Sequence, residues 1–203
     1  FPFIRFHFKK ENEKGHHKSM NILRNLETDY IFHMEDDWLF IRKDKYLSKC
    51  KHILENFKEY GQCLLNKNYS ERENCFDISG GFKKIINGNI YFEHQFLKGE
   101  ELESYSINHP KHCTYWPHYS LRVGMTRMDV LKDVGIFNEE AKHFEMDYAY
   151  RYTEKGYKTI FMTDIYCLHT GRCTFERDSD KINAYDLNNQ EQFGNQPKSI
   201  QNS

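Results

Sequence analysis

Short apolar runs alternate with helical patterns along this chain, and this order constrains its fold more than any other feature. Strands are predicted at residues 1–8, 30–34, 62–65, 82–86, 90–92, 158–162 and 165–169. Residues 9–18 are predicted as a loop. One helix is predicted to start at a cap at Ser19, and a second to run from Asp44 to a stop at Gly61. Two more helices are predicted, one from a cap at Thr126 to Val134 and one from Phe144 to Lys155 before Gly156. Helices and strands in this order predict an α/β layer fold.

Length and charge limit the class of protein. The chain has 203 residues, which suits one domain over residues 1–175 followed by a polar tail over residues 176–203. Its 29 Lys and Arg nearly cancel its 30 Asp and Glu, whereas a dedicated nucleic-acid binder usually has a basic excess. The longest apolar run, residues 38–41, is too short to span a membrane, so a soluble protein without a nucleic-acid partner is expected.

The six cysteines form no C-x-x-C pair. They therefore predict neither a zinc site nor a redox motif, and most are expected to be buried thiols. Because the count is even, disulfides stay open as an alternative.

An acidic triplet, Glu35, Asp36 and Asp37, follows the predicted strand at residues 30–34. Ligands bind at the carboxyl ends of strands in open α/β sheets, and adjacent carboxylates repel one another unless a cation such as Mg²⁺ or Mn²⁺ neutralises them. Alternation along the chain would place Glu35 and Asp37 on one side, where they could share a metal or a metal-bound phosphate. A solvated acidic turn is the alternative, although the apolar residues from Trp38 onward disfavour it.

Two further segments carry residues with possible chemistry. On the helix predicted from Phe144, Asp147 and Arg151 are four residues apart and are expected to pair, while Glu145 is a candidate general base. His169 ends a predicted strand and could ligate a metal, although a lone histidine there is usually structural. Arg172 could bind a phosphate. The sequence has no G-x-S-x-G, Walker or G-x-G-x-x-G motif.

Together these segments resemble the GT-A glycosyltransferases, especially the family-2-like enzymes. Residues 30–37 look like the strand that ends in their D-x-D motif, with Glu35 in the place of the usual first aspartate and Asp37 in that of the last. Residues 120–139 resemble the segment of these enzymes in which an arginine is followed by a helix and then by a glycine-x-phenylalanine sequence. Residues 143–158 are similar to their acidic acceptor-site helix. The amino-acid sequences of residues 116–120 and 165–172 are most similar to those of glycosyltransferases of giant DNA viruses. This similarity would imply a location in the virion or the host cytoplasm.

The resemblance implies a GT-A type mixed sheet flanked by helices, without the first two βα units of the family because residues 1–8 look like its third strand. It implies a metal-dependent, inverting transfer of a sugar from a nucleotide-sugar donor, with a UDP-sugar favoured, to a hydroxyl of a glycan or protein acceptor. The implied residues are Glu145 as catalytic base; Glu35, Asp37 and His169 as ligands of Mn²⁺ or Mg²⁺; Asp36 and Arg172 at the donor phosphates; and Trp38, Trp116 and Asp147 at the acceptor.

Two alternatives stay open. A degenerate glycosyltransferase domain that binds glycan or scaffolds an assembly without catalysis would match the absence of the first two βα units. A metal-dependent phosphodiesterase would account for the acidic triplet and His169, but it leaves the helix with Glu145 and Arg151 unexplained.

Overall fold

The computed structural model describes residues 4–10, 15–66, 81–109, 113–141 and 143–170. The helices are α1 (His16–Leu23), α2 (Tyr46–Asn56), α3 (Gly99–Asn108), α4 (Met128–Val134) and α5 (Phe144–Glu154), and the strands are β1 (Tyr30–His33), β2 (Trp38–Phe40), β3 (Tyr60–Leu64), β4 (Phe82–Ile86), β5 (Asn89–Glu93), β6 (Gly124–Arg127), β7 (Lys158–Met162) and β8 (Cys167–His169). The predicted tail at residues 176–203 lies outside the described residues.

A six-stranded mixed sheet forms the centre of the fold. Its strand order is β1-β6-β3-β7-β5-β4, in which only β3 and β7 are parallel neighbours. β2 and β8 pair separately as a two-stranded antiparallel sheet. Helices flank the large sheet, so the predicted mixed α/β architecture is confirmed.

The core has two parts on opposite faces of the sheet. Tyr30 and Phe32 pack with the first part, and Ile31 between them packs with the second. Because successive side chains of a strand point to opposite faces, the two parts lie on either side of the sheet. α2 covers the first part, whereas α1, α4 and α5 contribute to the second.

The helix predicted from Asp44 is confirmed as α2, but its predicted stop is wrong. Cys50, Ile53 and Leu54 form its buried face, and the backbone is already extended at Phe57. Gly61 lies inside β3, where a Cβ atom would come within 2.7 Å of the Tyr152 hydroxyl oxygen. This glycine is therefore required by packing against α5 and not by a helix end.

Aromatic side chains fill the second part of the core. The rings of Phe137 and Tyr148 stack with centroids 3.9 Å apart, and Tyr119 packs against Tyr148 at 4.7 Å. Tyr148 lies on α5, whose predicted bounds are confirmed to within a residue. Gly156, with φ of 84°, follows the helix in the left-handed conformation that glycine favours.

Several local predictions were wrong. Of the strand predicted at residues 1–8, residues 4–8 form no strand, Phe6 and Phe8 are exposed, and residues 1–3 lie outside the described residues. Among the described residues, no strand pairs with this segment. Ser19 lies inside α1, which starts at His16, and Thr126 lies in β6, where its hydroxyl accepts a hydrogen bond from Gln62. α3, β2 and β6 were not predicted, and β8 belongs to the small sheet instead of continuing β7.

Four cysteines are described, namely Cys50, Cys63, Cys113 and Cys167, and all four are buried free thiols, as predicted. Cys75 and Cys173 lie outside the described residues. Within the described part of the chain, no helix is long and apolar enough to cross a membrane.

Candidate functional site

The acidic triplet lies directly after β1, as predicted, but its carboxylates have different partners. Glu35 Oε1 is 3.3 Å from His16 Nδ1 and 3.8 Å from His33 Nε2. Asp37 Oδ2 is instead 3.0 Å from His169 Nε2. Asp36 between them is exposed. The three predicted metal ligands therefore divide into a Glu35 group and an Asp37–His169 pair.

The small sheet positions Asp37 against His169. Trp38 in β2 is paired in register with His169 in β8, and their rings lie 5.0 Å apart. The backbone oxygen of Asp37 accepts hydrogen bonds from the amide and the hydroxyl of Thr170, at 2.7 and 2.8 Å. The buried Asn66 side chain fixes the position of β8, because its amide donates a hydrogen bond to the Cys167 carbonyl oxygen.

Unsatisfied polar atoms concentrate at this turn. Among the described residues, the buried side-chain atoms that lack a hydrogen-bond partner are His33 Nε2, Asp37 Oδ1 and Trp38 Nε1. Buried polar atoms are usually paired, so three unpaired atoms within residues 33–38 make this segment a candidate place for a ligand or an ion. Asp37 Oδ1 is an oxygen acceptor of the kind that Mn²⁺ and Mg²⁺ prefer, so this turn fits such an ion.

The environment of Glu35 favours its ionised form. Burial alone would raise the pKa of Glu35, but the contact with His33 and the charge of His16 outweigh burial and lower that pKa. The Trp38 indole N–H also acts to lower the pKa of Glu35. Glu35 is therefore an anion around neutral pH.

Glu145 lies in the first turn of α5 and behaves differently. Its Oε1 accepts hydrogen bonds from the Leu121 amide at 2.8 Å and from the Ser120 hydroxyl at 3.1 Å. Burial is the main cause of a raised pKa for Glu145, and the negative charge of Glu35 raises it further against the opposing effect of Arg122. The structure therefore brings Glu145 within electrostatic range of Glu35, at the same end of the sheet.

Gln62 of β3 holds the segment that binds Glu145. Its side-chain amide donates to the Ser120 carbonyl oxygen at 2.7 Å, and its Oε1 accepts from the Ser120 amide at 3.1 Å. These two bonds fix the Ser120 backbone to the sheet. As a result, the donors that hold Glu145 Oε1 are themselves rigid.

Two predicted acceptor residues have partners within the fold. Asp147 Oδ2 accepts from Arg151 Nη2 at 2.8 Å, which confirms the predicted pair, and Arg151 also donates to the backbone of Val134 and Ile136. Trp116 Nε1 donates to the Tyr119 carbonyl oxygen at 2.7 Å. Acceptor binding by either residue stays a prediction.

Arg172, predicted at the donor phosphates, lies outside the described residues. The structure adds three residues that sequence reasoning missed: His16, His33 and Arg122. His33 carries a recognisable signal, because it is two residues before Glu35 and so lies on the same side of an extended chain. Nothing in the sequence around His16 indicates that it faces the end of β1.

No protein-family model matches this chain, and no curated protein and no solved structure was found to be similar to it. A mixed α/β sheet alone does not select an activity, because one fold hosts many chemistries. The functional argument therefore depends on the acidic turn, its histidines and Glu145.

Proposed function

We propose that this protein is a metal-dependent glycosyltransferase that moves a sugar from a nucleotide-sugar donor, preferably a UDP-sugar, to an acceptor hydroxyl of a glycan or protein. The observation that carries the proposal is the position of Glu145 at the same end of the sheet as the acidic turn and close enough for Glu35 to raise its pKa. Sugar transfer needs these two features together, a site for the charged leaving group and a base for the acceptor.

On the donor side, Asp37, Glu35 and His169 would hold Mn²⁺ or Mg²⁺, and Asp36 would lie near the donor phosphates. The ion would neutralise charge that develops on the leaving diphosphate. Asp37 is the best placed of these residues, because its Oδ1 has no hydrogen-bond partner among the described residues. Its Oδ2 is 3.0 Å from His169 Nε2, so these two side chains lie close enough to share one ion.

On the acceptor side, Glu145 would remove the proton from the attacking hydroxyl. Leu121 and Ser120 hold Oε1, and no hydrogen bond to Oε2 is seen among the described residues, so Oε2 would take the proton. A raised pKa brings a carboxylate closer to the proton affinity that a general base needs at neutral pH. Direct attack at the anomeric carbon makes the transfer inverting. Trp38, Trp116 and Asp147 would border the acceptor.

The first test is thermal unfolding of the full chain with UDP, GDP and their sugars, with and without Mn²⁺, beside Asp37→Ala. A ligand that binds only the folded state raises the unfolding temperature by mass action. We expect a metal-dependent increase with one nucleotide that Asp37→Ala abolishes. Loss of the increase in all conditions would contradict the donor site and favour a glycan-binding domain without catalysis.

A further inference from the structure

We propose that His16, His33 and Glu35 bind one divalent transition-metal ion, of which Zn²⁺ is the reference case. One potential ligand atom from each residue lies within 4.8 Å of the other two. Two imidazole nitrogens and one carboxylate oxygen are a donor set for zinc and related metals, whereas Mg²⁺ prefers oxygen donors alone. This set differs from Glu35, Asp37 and His169, which the sequence predicted.

The two distances from Glu35 to the histidine nitrogens are close to those around such an ion. With bonds of about 2.0–2.2 Å, ligand atoms of a tetrahedral site are about 3.3–3.5 Å apart. Glu35 Oε1 is 3.3 Å from His16 Nδ1 and 3.8 Å from His33 Nε2. Glu35 Oε1 is therefore close to the required spacing from both nitrogens, and the nitrogens of His16 and His33 lie within 4.8 Å of each other, so binding would draw them together around the ion.

A simple hydrogen-bond network does not account for His33. Its Nε2 atom is buried and has no hydrogen-bond partner among the described residues. The separation of 3.8 Å from Glu35 is too long for a hydrogen bond. A metal ion between the two side chains would satisfy the nitrogen and the carboxylate together.

The surroundings hold the two histidines in place. His16 begins α1 and His33 ends β1, and their rings stack with centroids 5.4 Å apart. Phe144, beside Glu145, packs against His16 at 6.1 Å and forms an apolar wall. The Glu35 and His16 side chains are each 34 % exposed, so an ion can enter and a fourth ligand can bind.

The inference does not depend on sugar transfer, because it concerns metal binding alone. The two proposals share Glu35 but differ in their histidines, namely His16 and His33 here and His169 in the donor site. Substitutions of these histidines therefore distinguish failure of one proposal from failure of the other.

The test is a Co²⁺ titration of the full chain, freed of any affinity tag and stripped with a chelator, followed by visible absorption and by competition with Zn²⁺. We expect one Co²⁺ per chain, displaced by Zn²⁺. His16→Ala should weaken binding by more than about 100-fold, since even indirect partners of metal ligands contribute about 10–100-fold. His52→Ala is the matched control, because His52 is an exposed histidine whose hydrogen bonds among the described residues are to Asn56 and Asn87.

His33→Ala should weaken binding as much as His16→Ala. If circular dichroism shows that His33→Ala does not fold, His16→Ala decides alone, because its partly exposed side chain begins a helix. Absence of stoichiometric binding, or unchanged affinity in His16→Ala, would overturn the proposal. Loss of binding in His169→Ala with normal binding in His16→Ala would also overturn it, and would place the ion at Asp37 instead.

Discussion

Two glutamates, the buried Glu93 at the end of β5 and the partly buried Glu145 at the start of α5, lie in opposite electrostatic environments. The Glu93 side chain is 8 % exposed and accepts a hydrogen bond from the Tyr60 hydroxyl at 2.7 Å. Lys158 and Lys84 lie 3.1 and 3.6 Å from its oxygens. Burial alone would raise the pKa of Glu93, but Tyr60 and the lysines outweigh burial and lower it.

Among the described residues, no salt bridge joins Glu145 to a cation, although the charge of Arg122 opposes the rise in its pKa. Its hydrogen-bond donors are the neutral Leu121 amide and Ser120 hydroxyl, and burial dominates, so its pKa is raised. The difference indicates which carboxylate is available for chemistry. Cations hold Glu93 as a fixed anion that supports the sheet, whereas Glu145 keeps an affinity for protons, which is typical of a catalytic base.

The largest expected effect is on the rate of sugar transfer, which should depend on Glu145 and not on Glu93. Glu145→Gln should lower sugar transfer by about 10²–10⁴-fold, the usual contribution of a general base, while binding of the donor nucleotide is unchanged. The measurement is steady-state transfer together with nucleotide-induced thermal stabilisation. Glu93→Gln is the matched control and should transfer at the normal rate. Near-normal turnover in Glu145→Gln would remove Glu145 from the mechanism.

The next effect concerns stability, where substitution of Glu93 should matter more than substitution of Glu145. Glu93→Ala should lower the free energy of unfolding by about 1–3 kcal/mol, because the Tyr60 hydroxyl loses its acceptor in a buried position. Urea unfolding of the wild type and Glu93→Ala measures this loss. Glu145→Gln, measured in the same way near neutral pH, should show no comparable loss. Equal losses in both variants would mean that the two environments do not differ as described.

The smallest effect is a pair of opposite pH dependences. The pKa of Glu93 is lowered in the folded state, so its stabilisation is present above the unfolded pKa of about 4.3 and is lost as pH falls through the folded pKa. The pKa of Glu145 is raised, so the folded state loses stability as pH rises from about 4.3 through the folded pKa.

Urea unfolding over a series of pH values tests these signs. The stability difference between wild type and Glu93→Gln should grow as pH rises. The free energy of unfolding of the wild type relative to that of Glu145→Gln should instead fall as pH rises. The same sign of slope for both residues would contradict the opposite pKa shifts.

Local patterns predicted much of the secondary structure. α2 and α5 followed from their apolar spacing, and β3 and β7 followed from short apolar runs, because these signals lie within one segment. The pattern at residues 4–8 predicted a strand that the structure lacks, since a strand also requires a neighbour. Gly61 was assigned to a helix end because its real constraint, the Tyr152 side chain 2.7 Å from an added Cβ, comes from another segment.

By itself, the sequence determined that a carboxylate triplet follows β1 and that Glu145 begins α5. It did not determine how those carboxylates are partnered. Tertiary structure decided that Asp37 contacts His169, 132 residues away, and that Glu35 instead contacts His16 and His33. The physical reason is that burial and neighbouring charges set the chemistry of a carboxylate, and both depend on segments that only folding brings together.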